Sequence, residues 1–315
     1  MTTASHLTEY DDGLDLQAFA GYLTEQDRSP VTIRGYISDI RIYAAWSARA
    51  KGEPFRLPDW SASDIRAYRQ SLSEAGARPH TINRKLAALV AYGHWAVQTG
   101  KLAHNPALNI RNVESVPLAP KWLDKRQRAA LVRAVENDLR LARQRYPRLW
   151  VMRLRDAAMA LTLLNTGLRV GELCALQLND IQISERKGSL VVRSGKGQKQ
   201  RTIPLNGPAR QLLNEWLAVR PEASGEALFI GQRGERVGVR SVQRAVERAA
   251  TTAGLQNVSP HTLRHSFAKA LLDEGVTLEK VAALLGHNSL NTTRIYTTPG
   301  ERDLEEAVAK LEDQG

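Results

Sequence analysis

The sequence predicts a mostly α-helical protein of two domains: an amino-terminal four-helix bundle, then an α+β domain with a small antiparallel sheet. Three observations lead there. Residues 15–112 divide into four segments with apolar residues at helical spacing and short polar connections. Residues 113–121, VESVPLAPK, carry two prolines and no periodicity, which marks a linker. Beyond it β-rich runs are sparse and short, chiefly GSLVVR and RTIPL, separated by the Gly-containing connection SGKGQKQ of a β-hairpin.

Taken in order, the first helix is expected in LDLQAFAGYLTEQ, where Leu16, Phe19 and Leu23 share a face. The second starts at Ser29 as N-cap with Pro30 in the first turn, and Ile33, Ile37, Ile40 and Ala44 form its apolar stripe. The third is capped by Ser61 or Ser63 and stops at Gly76, and the fourth runs up to Asn105-Pro106. After the linker, residues 122–301 form the second domain. Asp124 is expected to cap one helix, and another ends at Gly167. Past the hairpin come helices in ARQLLNEWLAVR and VRSVQRAVERAATTAG, with ALFIG between them as one further short strand. Residues 302–315 are expected to form a short tail helix with Leu304, Ala307, Val308 and Leu311 on one side.

Composition narrows the function. The net charge is +11 and the pI about 9.9, which suggests a polyanionic partner such as nucleic acid. Residues 1–112 hold 13 Lys+Arg against 11 Asp+Glu, and the remainder 31 against 22, so the positive charge lies beyond the linker. No apolar run approaches membrane-spanning length, and the polar, acidic start MTTASHLTEYDDG is unlike a signal or transit peptide. The single cysteine, Cys174, excludes an internal disulfide framework, fits a reducing cytosol, and reads as a small core residue.

Chemistry concentrates between Ser259 and Tyr296. His261 and Arg264 are three residues apart and share a helix face. A second apolar helix, VAALLGH, delivers His287, and Tyr296 follows nine residues later as the one tyrosine in the carboxy-terminal half. Cations, an acid/base and a hydroxyl nucleophile together suit phosphoryl transfer. His261 and His265 also have the i,i+4 spacing of metal ligands, but Thr262 stands where the metalloprotease pattern needs glutamate, and no cysteine or carboxylate cluster completes a site. No metal is therefore expected. His265 reads as a satisfied, partly buried histidine, and His287 alternatively as a helix-end cap.

The segments TGLRVGEL, SGKGQKQR, HTLRHSFA, LLGH and TTRIY, in this order, resemble the signature of the tyrosine site-specific recombinases of the lambda-integrase class, and most of all its Xer-type members. The resemblance spans roughly residues 15–300. It implies that Arg169 and Arg264 grip the scissile phosphate and that Glu172 supports them. Lys196 would protonate the leaving 5′-oxygen, with Lys199 as the alternative lysine of the same turn. His261 would exchange the nucleophile's proton, His287 would hydrogen-bond a non-bridging phosphate oxygen, and Tyr296 would attack phosphorus to give a 3′-phosphotyrosyl link and, by way of a Holliday junction, strand exchange. Because that ester conserves the bond energy, neither ATP nor another cofactor is expected.

The same resemblance makes the amino-terminal bundle a SAM-like DNA-binding domain. Its candidate phosphate contacts are Thr32, Arg34, Arg41, His80, Thr81, Asn83, Arg84 and Lys85, each otherwise readable as part of a solvated helix face. In the hairpin the candidates are Arg193, Lys199 and Arg201. The implied partners are double-stranded DNA sites and related subunits, in a homotetramer or a heterotetramer, with the tail docking on a neighbour rather than on its own domain. The implied location is the prokaryotic cytoplasm, on the nucleoid. Two other readings stand beside this one, a type IB topoisomerase and a DNA-binding protein of the same fold with a dead site. The helical amino-terminal domain and tail count against the first, and the complete set of site residues against the second. The stretch from Asn137 to Arg153 is longer than Xer-type proteins usually have, which leans towards a mobile-element or plasmid role.

Overall fold

In the computed structural model, residues 13–114, 120–193, 200–223, 225–287 and 291–296 are described. The chain divides into two compact units, residues 1–117 and 118–315.

Among its described residues, the first unit holds four α-helices: α1 (Leu16–Glu25), α2 (Pro30–Lys51), α3 (Ala62–Glu74) and α4 (Pro79–Gln98). Their ends follow local chemistry. Ser29 Oγ accepts the Thr32 amide at 3.2 Å with Pro30 in the first turn of α2, and Gly52 closes that helix in the left-handed region. Ser61 and Asp64 form a reciprocal capping box at α3. The core is aromatic: Phe19, Tyr43, Tyr68, Tyr92 and Trp95 are all buried, and the Trp60 indole N–H donates to Tyr43 Oη at 2.9 Å. Asp39 of α2 is buried too, and it is satisfied by Arg84 and Lys85 of α4.

The second unit is built round α6 (Pro147–Thr166), which packs against α5 (Lys125–Arg145), α8 (Gly207–Val219), α9 (Val239–Thr252) and α10 (Pro260–Asp273). Eleven of its residues are buried, which makes it the central helix of this unit. The stretch 137–153 is a helical hairpin: α5 continues to Arg145, the chain turns at Tyr146, and Pro147 opens α6. Between α6 and α8 lie α7 (Val170–Ala175) and the strands β1 (Ile181–Ile183), β2 (Gly188–Arg193) and β3 (Gln200–Pro204). They pair antiparallel in the order β1-β2-β3, with Val192 opposite Arg201. Among the described residues, two further helices follow α10, namely α11 (Leu278–Leu285) and the short α12 (Asn291–Arg294).

ALFIG is not a strand, contrary to the expectation from its composition. Within it only isolated bridges form, Gln177 with Ala227 and Ile230 with Arg236. Its polar backbone is satisfied otherwise: the Leu228 amide donates to Leu176 O at 2.9 Å, and Leu228 O accepts the Trp216 indole N–H at 3.0 Å. Its apolar side chains are buried because they complete the core, not because they alternate across a sheet. Cys174 is half-buried and packs against that core. No described helix is long and apolar enough to cross a membrane.

Candidate active site

Three helix termini and one strand of the second unit converge. Gly167 ends α6 in the left-handed conformation and leaves its carbonyl pointing at α10. Arg169 is the N-cap of α7, and Glu172 in its first turn accepts the Arg169 amide at 2.8 Å and its Nη1 at 2.9 Å. Gly286, also left-handed, stops α11 and presents His287, whose amide closes back on Ala282 O at 3.1 Å.

Arg264, in the middle of α10, ties these pieces together. It is only 3% exposed, and its guanidinium donates to Gly167 O at 2.6 Å, Leu285 O at 2.8 Å and His287 Nε2 at 2.9 Å. Burial and the neighbouring Arg169 bring its pKa down to about 10, still cationic at neutral pH. A guanidinium has no acceptor, so His287 Nε2 must accept, and its proton sits on Nδ1, which donates to Thr293 Oγ1 at 2.8 Å. Burial, then the charge of Arg264, hold this imidazole at about 4, so it is neutral at pH 7. In this arrangement both ring nitrogens are engaged within the protein. A phosphate receives a hydrogen bond from His287 only after one of these contacts is exchanged.

Tyr296 is 3% exposed and meets His265, not His261: its hydroxyl lies 2.8 Å from His265 Nδ1. Burial raises the phenol pKa, while Arg264 and Arg169 pull against it. His265 is brought down to about 4 by burial and by the neighbouring His261. His261 stacks edge-on against His265 with ring centres 4.1 Å apart, and burial together with Arg264 and Arg169 lowers its pKa as well. His265 is buried and hydrogen-bonded, as a satisfied histidine should be, but its partner, Tyr296, was not foreseen from the sequence. The signal available was its place next to Arg264 and one turn beyond His261. Among the described residues, no group of three or more His, Cys, Asp and Glu comes together.

Arg201 departs from expectation. It does not face solvent as a DNA contact: its side chain is 16% exposed and grips both oxygens of Glu172, with Nη1 and Nη2 at 2.9 and 2.7 Å. Burial raises the Glu172 pKa, but the hydrogen bonds from Arg201 and Arg169 outweigh it and hold the carboxyl below its usual range. Arg193 is half-exposed and paired with Asp180 at 2.8 Å. Lys196 and Lys199 lie outside the described residues.

In the first unit, Arg34 is exposed and Arg41 and Thr81 are half-buried. Lys85 is 9% exposed with its ammonium on Asp39 at 3.1 Å, and Arg84 forks onto the same carboxylate. Asn83 exchanges two hydrogen bonds with the Val113 backbone, at 2.9 and 2.8 Å. These three were expected at phosphates. Lys85 and Asn83 instead hold the bundle together, because a buried carboxylate and a loop backbone each needed partners.

Comparison with known proteins settles the family. The profile described as "Phage integrase family" matches residues 121–302, and "Phage integrase, N-terminal SAM-like domain" matches residues 16–100. Tyrosine recombinase XerC of Corynebacterium glutamicum is 36% identical over 285 residues, 90% of this chain and 86% of the relative. The chain belongs to the phage integrase family, as a tyrosine recombinase of the Xer type. Tyrosine recombinase XerC of Mycobacterium tuberculosis is also 36% identical, covering 92% of this chain and 93% of the relative. Among solved structures, XerH recombinase bound to its difH substrate before cleavage matches with a TM-score of 0.68 at 24% identity, covering 88% of this chain and 78% of that one. A lambda integrase dimer bound to a core site matches with a TM-score of 0.63 at 22% identity, covering 88% and 95%. At these identities the structural likeness concerns the fold. Family membership makes this recombinase an enzyme that breaks and rejoins DNA, and site-specific recombination its activity.

Proposed function

We propose that this recombinase cuts and rejoins duplex DNA through a covalent 3′-phosphotyrosyl intermediate on Tyr296, in a synapse of four subunits on two sites. The phenol oxygen attacks phosphorus, the P–O5′ bond breaks, and the freed 5′-hydroxyl later reverses the reaction on the exchanged strand. A phenol with an ordinary pKa of about 10 does not attack at neutral pH unaided. Its proton passes to the imidazole pair His261 and His265, and Lys196 supplies the proton to the 5′-oxygen. Arg169 and Arg264 neutralise the charge that builds on the pentacoordinate phosphorus, and His287 hydrogen-bonds a phosphate oxygen once it exchanges its Arg264 contact. To attack, Tyr296 leaves its hydrogen bond with His265 and comes out to the phosphate. The tail, residues 302–315, docks on a neighbouring subunit, and duplex DNA is held by the basic surface, Arg34, Arg41, Thr81, Arg193 and Lys199 among it.

The observation that supports this reading best is the 2.8 Å contact of Tyr296 with His265, one residue from Arg264, itself bonded to His287. Incubation with a nicked suicide duplex of native flanking DNA tests it. A covalent protein–DNA band is expected on a denaturing gel, lost in Tyr296→Phe while duplex binding persists. A band that survives in Tyr296→Phe would falsify the assignment of the nucleophile.

A further inference from the structure

Arg201 carries more of the site than a surface cation would. Three of its donors are spent on two different elements: Nη1 and Nη2 on Glu172 of α7, and Nε on Leu284 O of α11 at 2.9 Å. The two ends of that grip are the two places where the site is assembled. Glu172 is the carboxylate that holds Arg169, and Leu284 lies three residues before His287. The turn is matched to the guanidinium, because a Cβ on Gly286 would lie 2.7 Å from Arg201 Nη1 and 3.0 Å from its Cζ. Gly286 is therefore required twice, for its positive φ and for the clearance it leaves Arg201.

Charge gives this contact a consequence. Glu172 sits among three guanidiniums, those of Arg169, Arg201 and Arg264. Its Oε2 is 2.7 Å from Arg201 Nη2 but 4.0 Å from Arg264 Nη1. The bidentate fork on Arg201 thus decides which cation neutralises the carboxylate. With Arg201 in place, Arg264 keeps its positive charge to offer an anion, while Arg169 shares the carboxylate through Nη1. Without it, Glu172 is left partly buried beside Arg264 and pairs there.

We propose that Arg201 is a positioning residue for recombination: it holds Glu172 off Arg264, orients Arg169 through Glu172, and anchors the turn that presents His287. This rests on the reading of Tyr296 as nucleophile and extends it. Lysine cannot replace the fork, since a single ammonium does not span two carboxylate oxygens and a carbonyl at once.

The test is the single-turnover rate of covalent complex formation on a saturating nicked duplex, for wild type, Arg201→Gln, Glu172→Gln and the double variant. Arg201→Gln is expected to lose about tenfold or more, on the scale of one misplaced electrostatic contact at a reacting phosphate, with DNA affinity little changed. Glu172→Gln in the same chain removes the competing charge and is expected to restore part of that rate. Residues in contact couple in either case, so a merely structural role is told apart by a melting temperature that falls in Arg201→Gln while the single-turnover rate of the folded protein does not. A wild-type rate in Arg201→Gln, or losses that simply add, overturns the proposal. Arg201→Lys, which retains the charge, serves if Arg201→Gln does not fold. Its rate should lie below wild type and likewise rise on adding Glu172→Gln. Failure of the underlying reading looks different, since wild type would then give no Tyr296-dependent band. In that event, 13C NMR titration of the Glu172 carboxyl decides: its midpoint should rise in Arg201→Lys, and an unmoved midpoint sinks the idea.

Discussion

His265 and Tyr296 are buried and His287 half-buried, and each is stabilised in its neutral form. For the two histidines the ordinary value of 6.5 falls to about 4 on folding, by burial first and neighbouring charges second. Between these values the unfolded chain binds more protons than the folded one, so stability rises with pH through the window. The contribution is complete above about 6.5 and declines as pH falls towards 4. Melting temperatures measured from pH 7 to 4.5 should therefore drop, and the drop should be shallower in a chain carrying His265→Gln and His287→Gln. An identical slope in that variant would show the histidines are not its source. The lowered pKa of His261 has a kinetic counterpart: the acid limb of covalent complex formation should lie below 6.5. A limb at or above the ordinary imidazole value would remove His261 as the group responsible. At this scale the residue types of the site were legible from their order and spacing, whereas their partners were not. Nothing in HTLRHSFA distinguishes the histidine that meets Tyr296 from the one that faces outward, because that depends on which side of α10 the later chain crosses.

Helix ends carry most of what was readable at the scale of elements. Ser29, Ser61 and Asp124 cap α2, α3 and α5 as their side-chain chemistry requires. Ser61→Ala should cost about 1 kcal/mol of stability, the usual worth of such a cap, seen as a lower denaturant midpoint without a change of slope. A midpoint equal to wild type would mean that Ser63 takes over. Gly286 is a stricter case. At φ +66 with Arg201 lying against it, Gly286→Ala meets both backbone strain, about 1–2 kcal/mol for a left-handed residue, and a steric clash. It should reduce stability and the rate of covalent complex formation together, and an alanine variant that melts and cleaves like wild type would refute the tight fit. ALFIG shows where element-scale reasoning fails. A short apolar run looks alike whether it lies in a sheet or fills a core, and here the carbonyl and amide of Leu228 find partners outside any strand.

At the scale of the molecule, each unit has a hydrophobic core of its own, one set around Phe19, Tyr92 and Trp95, the other around α6. Residues 118–315 expressed alone should then unfold in a single cooperative transition, followed by circular dichroism, and a broad non-cooperative melt would argue against an independent core. The charge distribution sets a second expectation. Since most of the +11 lies beyond the linker, duplex binding by the whole chain should weaken steeply and log-linearly with salt, through release of counterions. Binding indifferent to salt between 50 and 200 mM would contradict a phosphate-dominated interface.

By itself the sequence determined the helical architecture, the caps, the short antiparallel sheet and the candidates for the groups proposed to do chemistry, because these depend on local spacing and on residue type. Only the tertiary structure decided what each polar group is bonded to. Arg201, Lys85 and Asn83 look like DNA-facing residues in one dimension, and each is drawn inward by a carboxylate or a backbone group that folding has buried. A buried acceptor must be satisfied by whatever donor the fold brings within reach. That donor lies 29 residues away for Glu172 and 46 for Asp39, and no local pattern encodes such a distance.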